Sequence, residues 1–115
     1  MQRRQRLSRS RDFDAVYRQG RSTSTRFLVL YWFPREDADA EPRLGLAVPK
    51  SVGGAVVRNR VKRQLRETWR ELGDRVRPGH DYVVVAKPGL AGPADTRGHA
   101  WLLERVAEVL DKAAA

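Results

Sequence analysis

The 115-residue chain contains no cysteine. That absence excludes a disulfide scaffold, a cysteine-based zinc site and a thiol nucleophile, and it agrees with a reducing compartment. Long hydrophobic runs are also missing. The longest, Phe27 to Phe33, is seven residues, far short of the roughly 20 that a transmembrane helix needs. No apolar signal-peptide core follows the basic N-terminus, and no lipidation motif or internal repeat is visible, so the expectation is a soluble, cytoplasmic protein without a membrane partner. Histidine is scarce, with only His80 and His99, and neither has plausible ligand partners. With no HExxH motif, no paired histidines and no carboxylate cluster for two metals, a nuclease acting on its own lacks support. Lysine is scarce too, at 4 against 19 arginines, a ratio that GC-rich coding alone can produce.

What is present is a globular balance, 41% hydrophobic and 32% charged, in a length that fits one domain. The net charge is +9, and it is concentrated. Residues 1–26 carry a balance of +6 and residues 43–70 one of +7, whereas 27–42 and 71–115 are net acidic. A solubility role would scatter the charge; two dense stretches point to a polyanion as partner. Arginine suits that partner, because its planar fork pairs bidentately with phosphate and stacks on bases.

Residues 1–9 read as a flexible basic arm and 10–113 as the folded domain. Ser10 is a fair N-cap for a short helix over 11–19, with Phe13, Val16 and Tyr17 on one face and Gly20 as its stop. Asp12 and Asp14 read as capping residues. Residues 26–33 (RFLVLYWF) favour a strand. The acidic stretch 35–41 reads as a loop pointing away from the polyanion, and 43–49 as a second strand pairing antiparallel with the first. Gly53-Gly54 opens a helix over 55–72, residues 81–87 form a third strand, 88–93 a loop, and Asp95 or Thr96 caps a last helix over 96–113. The order is α-β-β-α-β-α, an α+β domain with one sheet face under helices. Trp32, Trp69 and Trp101 read as core.

The central helix carries most of the functional information. At 3.6 residues per turn, Val57, Val61, Leu65, Trp69 and Leu72 fall within about 120° of its circumference, while Lys62, Arg66, Asn59, Arg70 and Arg63 crowd the next ~100°. Arg58/Lys62, Lys62/Arg66 and Arg66/Arg70 are like-charge i,i+4 pairs, each costing roughly 0.2–0.5 kcal/mol. A surface selected for stability would intersperse acids, yet Glu67 stands nearly alone. The crowding makes sense if phosphates supply the anions, and the N–H groups after Gly53-Gly54 favour the same ligand.

The run Val57-Arg58-Asn59-Arg60-Val61-Lys62-Arg63-Gln64-Leu65-Arg66-Glu67 resembles the RNR helix of the bacterial ribonuclease P protein component. Arg43 to Lys50 (RLGLAVPK) resembles the strand leading into that helix. Asp12-Phe13, Val16-Tyr17 and Gly20 resemble the family's first helix, Leu28 to Tyr31 its first core strand, and Asp81 to Pro88 its last. The likeness runs from about Arg6 to Lys112. Tyr17 stands where a phenylalanine is common, which keeps a stacking face.

The resemblance implies a mixed four-stranded sheet, hence one short strand beyond the three that periodicity reveals, and a left-handed crossover. It implies a protein subunit with no catalytic residues of its own. That subunit partners a catalytic RNA, one protein to one RNA, which removes the 5′ leader of precursor tRNA with Mg²⁺ bound mainly by the RNA. Carried onto this chain, Lys50, Arg58, Asn59, Arg60, Lys62, Arg63 and Arg66 are the candidates for the catalytic RNA. Asn59 is either a base or indirect metal contact or a turn cap, and Arg60 either a phosphate contact or an internal ion pair. Phe13, Tyr17, Val29, Tyr31, Ala47 and Ala86 are the candidates for the leader, since unpaired bases stack on aromatic faces. Phe13, Tyr17 and Val29 also read as plain core. The competing class is a generic structural RNA binder such as a ribosomal component, which accounts for the charge but not for an aromatic cleft beside it.

Overall fold

The computed structural model describes residues 5–114. Helix α1 (Ser10–Gln19) leads into strands β1 (Arg21–Ser24), β2 (Leu28–Pro34) and β3 (Arg43–Ala47). A 3₁₀ turn at Lys50–Val52 precedes helix α2 (Ala55–Glu71), and strand β4 (His80–Ala86) is followed by helices α3 (Ala91–Arg97) and α4 (His99–Ala114). The fourth strand implied by the family is β1. Its sequence, RSTS, is polar and mostly exposed, so it carries no alternation to read.

The sheet order is β1-β2-β4-β3. β2 and β3 are therefore not partners, contrary to the antiparallel pair expected from their closeness in sequence. β4 lies between them, antiparallel to β2 and parallel to β3. The physical reason is burial on both faces. Val83 and Val84 are both inaccessible, so the most continuously apolar strand takes the centre, while β3, with Gly45 and Ala47 on one face, sits at the edge.

Alternation sorts the strands into two cores. Leu28, Leu30, Leu44, Tyr82, Val84 and Ala86 face α2 and α4, where Val61, Leu65, Trp69, Leu102 and Val106 complete the main core. Val83 on the other face joins Leu7 and Val16 in a smaller core, flanked by Phe13, Tyr31, Phe33 and Val85. Trp69 is buried, but Trp32 and Trp101, both expected as core, are only half-buried at its margin.

Other expectations shift at the element ends. Residues 1–4 of the expected arm lie outside the described residues, but Leu7 is buried and its N–H donates to the Leu44 carbonyl at 2.9 Å. Packing thus begins before Ser10, because the one leucine of that stretch finds a core. Arg9, not Ser10, takes the N-cap position of α1, and no side chain caps it. The expected helix 96–113 is two helices. Gly98, at φ +86°, breaks the chain between them, a conformation that side chains with a Cβ rarely adopt. Asp95 and Thr96 consequently lie inside α3, and Pro93 falls in its first turn, where a missing N–H costs nothing.

Candidate RNA interface

α2 buries Val61, Leu65, Thr68 and Trp69, which turns its cations outward. Asn59 and Arg63 are exposed, while Arg58, Arg60, Lys62 and Arg66 are half-buried; Lys50 is exposed on the 3₁₀ turn that leads into the helix. Among the described residues, Arg60 is the one cation of α2 in an ion pair, its Nε 3.7 Å from Asp95 Oδ1. Its internal partner and its place on α2 are therefore both present. The Nε groups of Arg58 and Arg60 are buried without a hydrogen-bond acceptor.

The densest charge lies where α2 meets the N-terminal segment. Arg6, Arg63, Arg66 and Arg70 line a hollow of about 220 Å³, with Glu67 as its single acid. Burial, then the nearby Arg6 charge, push the Arg66 guanidinium below its ordinary pKa. It stays protonated at neutral pH, since arginine hardly loses its proton in proteins, so the strain is carried as unfavourable charge. Arg6 was not among the sequence candidates. Its signal is Leu7: Arg6 bridges to Leu44 beside it, which holds the guanidinium next to α2. Glu41 and Pro42, at the end of the acidic loop, line a hollow with Arg66 and Arg70, so that end of the loop lies beside the cationic face rather than away from it.

The opposite face of the sheet carries the aromatic candidates. The Phe13 and Tyr17 rings are 6.3 Å apart on α1, and Tyr17 meets Tyr31 of β2 edge to face at 4.9 Å. Tyr17 is 39% exposed. Its phenol is raised above its ordinary pKa by burial first, then by Tyr31 and Asp14, which keeps it neutral. Val29, Val85 and Ala47 share one register row across β2, β4 and β3 and are half-buried. Gly45 lets α1 approach: a Cβ there would lie 2.6 Å from the Phe13 ring. Six of the seven cationic-face candidates thus lie on α2 with Lys50 just before it, and five of the six aromatic-face candidates share one side of the sheet.

Ala86 does not join them. It is 1% exposed and sits in the main core opposite Leu28, because its parity in β4 matches Tyr82 and Val84. Val85, one residue earlier, occupies the place assigned to it. At the other end of this face, buried Asp81 accepts two bonds from Arg43, at 2.9 and 2.7 Å, and lies 3.7 Å from Arg35. Asp12 is 3.9 Å from Arg43, so it belongs to this network. His99 pairs with Glu71 at 2.7 Å, joining α4 to α2.

A cationic helix on one side of a four-stranded sheet and an aromatic, half-open face on the other define a small α+β RNA-binding protein. Comparison with known proteins makes this specific. The family described as Ribonuclease P matches residues 1–114. The ribonuclease P protein component of Shouchella clausii is 47% identical over 87 residues, covering 76% of this chain and 70% of that protein. That of Geobacillus thermodenitrificans is 37% identical over 115 residues, covering 98% and 89%. The RNase P protein structure from Thermotoga maritima superimposes with a TM-score of 0.83 at 27% identity, covering 95% of this chain and 97% of that one. The Staphylococcus aureus structure does so at 0.80 and 29%, covering 95% and 94%. The chain belongs to the ribonuclease P protein component family, the protein subunit of an endoribonuclease that processes tRNA.

Proposed function

We propose that α2 docks this subunit on the catalytic RNA of ribonuclease P and that the half-open sheet face holds the 5′ leader of precursor tRNA. The observation that carries the reading is the arginine hollow: Arg6, Arg63, Arg66 and Arg70 line it with Glu67, Glu41 adds one more acid in the hollow beside Arg66 and Arg70, and Arg66 is partly buried beside a like charge. An arrangement that costs the free protein stability is relieved when RNA phosphates enter it. Lys50, Arg58, Lys62 and the free edge of Arg60 extend the same contact, and Asn59, exposed among cations, offers an amide to a base. On the other face, a base stacked on Tyr17, Tyr31 or Phe13 lies over Val29, Val85 and Ala47. One chain serves one RNA, in the cytoplasm.

In this reading scission belongs to the RNA, as membership of the family implies. Among the described residues no helix is long and apolar enough to cross a membrane. Asn59 is exposed on α2, and its amide oxygen would be the group of this chain to accept a hydrogen bond from the hydration shell of a divalent ion brought by RNA phosphates. Mg²⁺ would supply charge neutralisation and water activation there. The protein's part is to position both RNAs.

Reconstitution tests the reading. The chain alone should cleave nothing, whereas the chain with ribonuclease P RNA should remove the leader at Mg²⁺ concentrations too low for the RNA alone. Cleavage by the protein after ribonuclease treatment, or no effect on the RNA's reaction, overturns it.

A further inference from the structure

A basic and aromatic cavity of about 380 Å³ opens where β1 turns into β2 and β4 runs into α3. Arg26, Phe27, Pro93, Arg97, Trp101 and Arg105 line it, and no acid does. Phe27 and Trp101 pack against the main core, so the cavity belongs to the α2 and α4 side of the sheet. Their rings meet edge to face at 5.1 Å. Each carries a guanidinium, Arg26 at 5.3 Å from the Phe27 centroid and Arg105 at 5.6 Å from that of Trp101. Arg26 and Arg97 are exposed and form no ion pair among the described residues. Arg105 is partly offset by Glu104 at 3.5 Å and Glu108 at 3.7 Å, yet its Nε–H is buried without an acceptor. The turn that bears Arg26 is fixed by Lys87 Nζ, which donates to the Thr25 carbonyl at 2.6 Å, and by Lys112 Nζ, which donates to the Ser24 carbonyl at 2.7 Å.

The strand register puts this cavity and the start of α2 at the same end of the sheet. β2 begins with Leu28 opposite Ala86, the last residue of β4, and Ala47, the last of β3, lies beside Val85. Arg26 and Phe27 lead into that end, and the chain leaves it twice, through Lys50 towards α2 and through Lys87 towards α3. α3 stands between the two basic groups. Its Asp95 meets Arg60 of α2 at 3.7 Å, while Pro93 and Arg97, one turn apart, line the cavity. Asp95, two residues from each, lies ~200° round the helix from them. Asp95 is the one acid of α3, and it is engaged by Arg60; the other exposed residues before Arg97, Gly92 and Thr96, are uncharged. Lys50, Arg58 and Arg60 on one flank of α3 and Arg97, Arg26 and Arg105 on the other therefore form one basic rim.

Resting on the docking of α2 described above, we propose that this cavity is a second contact with the catalytic RNA, taking an unpaired nucleotide of the RNA that lies along the rim across α3. Its volume falls among those of ligand sites, roughly 300–1,000 Å³. Phosphates pair with Arg26 and Arg97, the unpartnered Arg105 Nε–H finds its acceptor on the base edge, and the base stacks on the guanidinium and ring planes. An acidic peptide matches the charge but leaves the planar stacking surfaces unused. The leader, in the reading above, lies on the other face of the sheet, whereas this cavity shares both its side and its end of the sheet with the start of α2.

The test measures binding of the full chain to ribonuclease P RNA across a salt series, without tRNA. The Arg26→Ala/Arg97→Ala protein, altered at two exposed positions outside α2, should bind more weakly at low salt. Two lost single-strand phosphate contacts flatten the salt slope by ~1.4, so the variant should lose about sevenfold less affinity between roughly 50 and 200 mM salt. RNA should also quench tryptophan fluorescence, and Trp101→Phe, which keeps an aromatic ring against the core, should remove that part of the quench. An unchanged salt slope in the double variant overturns the proposal, as does a quench untouched by Trp101→Phe. A loss that emerges only when precursor tRNA is added to the holoenzyme overturns it too, because it would give the cavity to the substrate. Arg63→Ala/Arg66→Ala is measured alongside: if that protein also binds the RNA like the unaltered chain, the α2 reading itself has failed.

Discussion

Replacing Arg66 by glutamine should make the free protein more stable and the RNA complex weaker. The stem of Arg66 packs at the edge of α2, and glutamine keeps most of it while losing the charge. The charge is unfavourable in the fold: burial and Arg6 lower its pKa, so the protonated form is penalised relative to the unfolded chain at every pH where arginine is charged, neutral pH included. Two like-charge helix pairs, Lys62/Arg66 and Arg66/Arg70, are removed as well, and together they are worth roughly 0.4–1 kcal/mol at low ionic strength. Urea denaturation at low salt should show that gain, and at about 1 M salt, where the screening length falls to ~3 Å, it should vanish. Titration with ribonuclease P RNA should show the converse. One lost phosphate contact lowers the slope of log affinity against log salt by ~0.9, so the variant loses about 3.5-fold less affinity between roughly 50 and 200 mM salt. A destabilised Arg66→Gln protein with an unchanged salt slope would refute the reasoning, because it would make Arg66 a structural residue.

Asp81→Asn should cost about 3 kcal/mol in chemical denaturation, the low end for breaking a buried pair, because Arg43 keeps 26% side-chain exposure; a loss under about 1 kcal/mol would mean that solvent carries the pair. Tyr17→Ala should weaken precursor binding by about 1–3 kcal/mol with little effect on mature tRNA, and Tyr17→Phe should restore it; equal loss for both tRNAs assigns the ring to packing. Because the Tyr17 phenol is held above 10.0, precursor affinity should show no inflection from it between about pH 6 and 9, and its ionisation should cost stability only above its ordinary pKa.

Helical features were readable wherever local spacing decided them. The stripe Val61, Leu65, Trp69 and the opposed cations of α2 follow from periodicity, and α2 spans 55–71 against the expected 55–72. The split of the last helix was less visible, since Gly98 interrupts a pattern whose apolar spacing begins at Leu102. In the sheet, alternation correctly opposed Leu28 and Leu30 to Val29 and Tyr31, but parity within β4 was missed, and Ala86 was placed on the wrong face for want of a register.

Composition and local spacing by themselves determined a single α+β domain, its cationic helix and its likeness to the ribonuclease P protein component, because helix periodicity and charge density are properties of neighbouring residues. Only the tertiary structure decided that β4 separates β2 from β3, that Leu7 anchors Arg6 beside Arg66, and that Val85 rather than Ala86 floors the open face. Strand order, register and the meeting of a terminal segment with a helix some 60 residues away in sequence depend on which apolar surfaces bury each other. That competition is resolved over the whole chain at once.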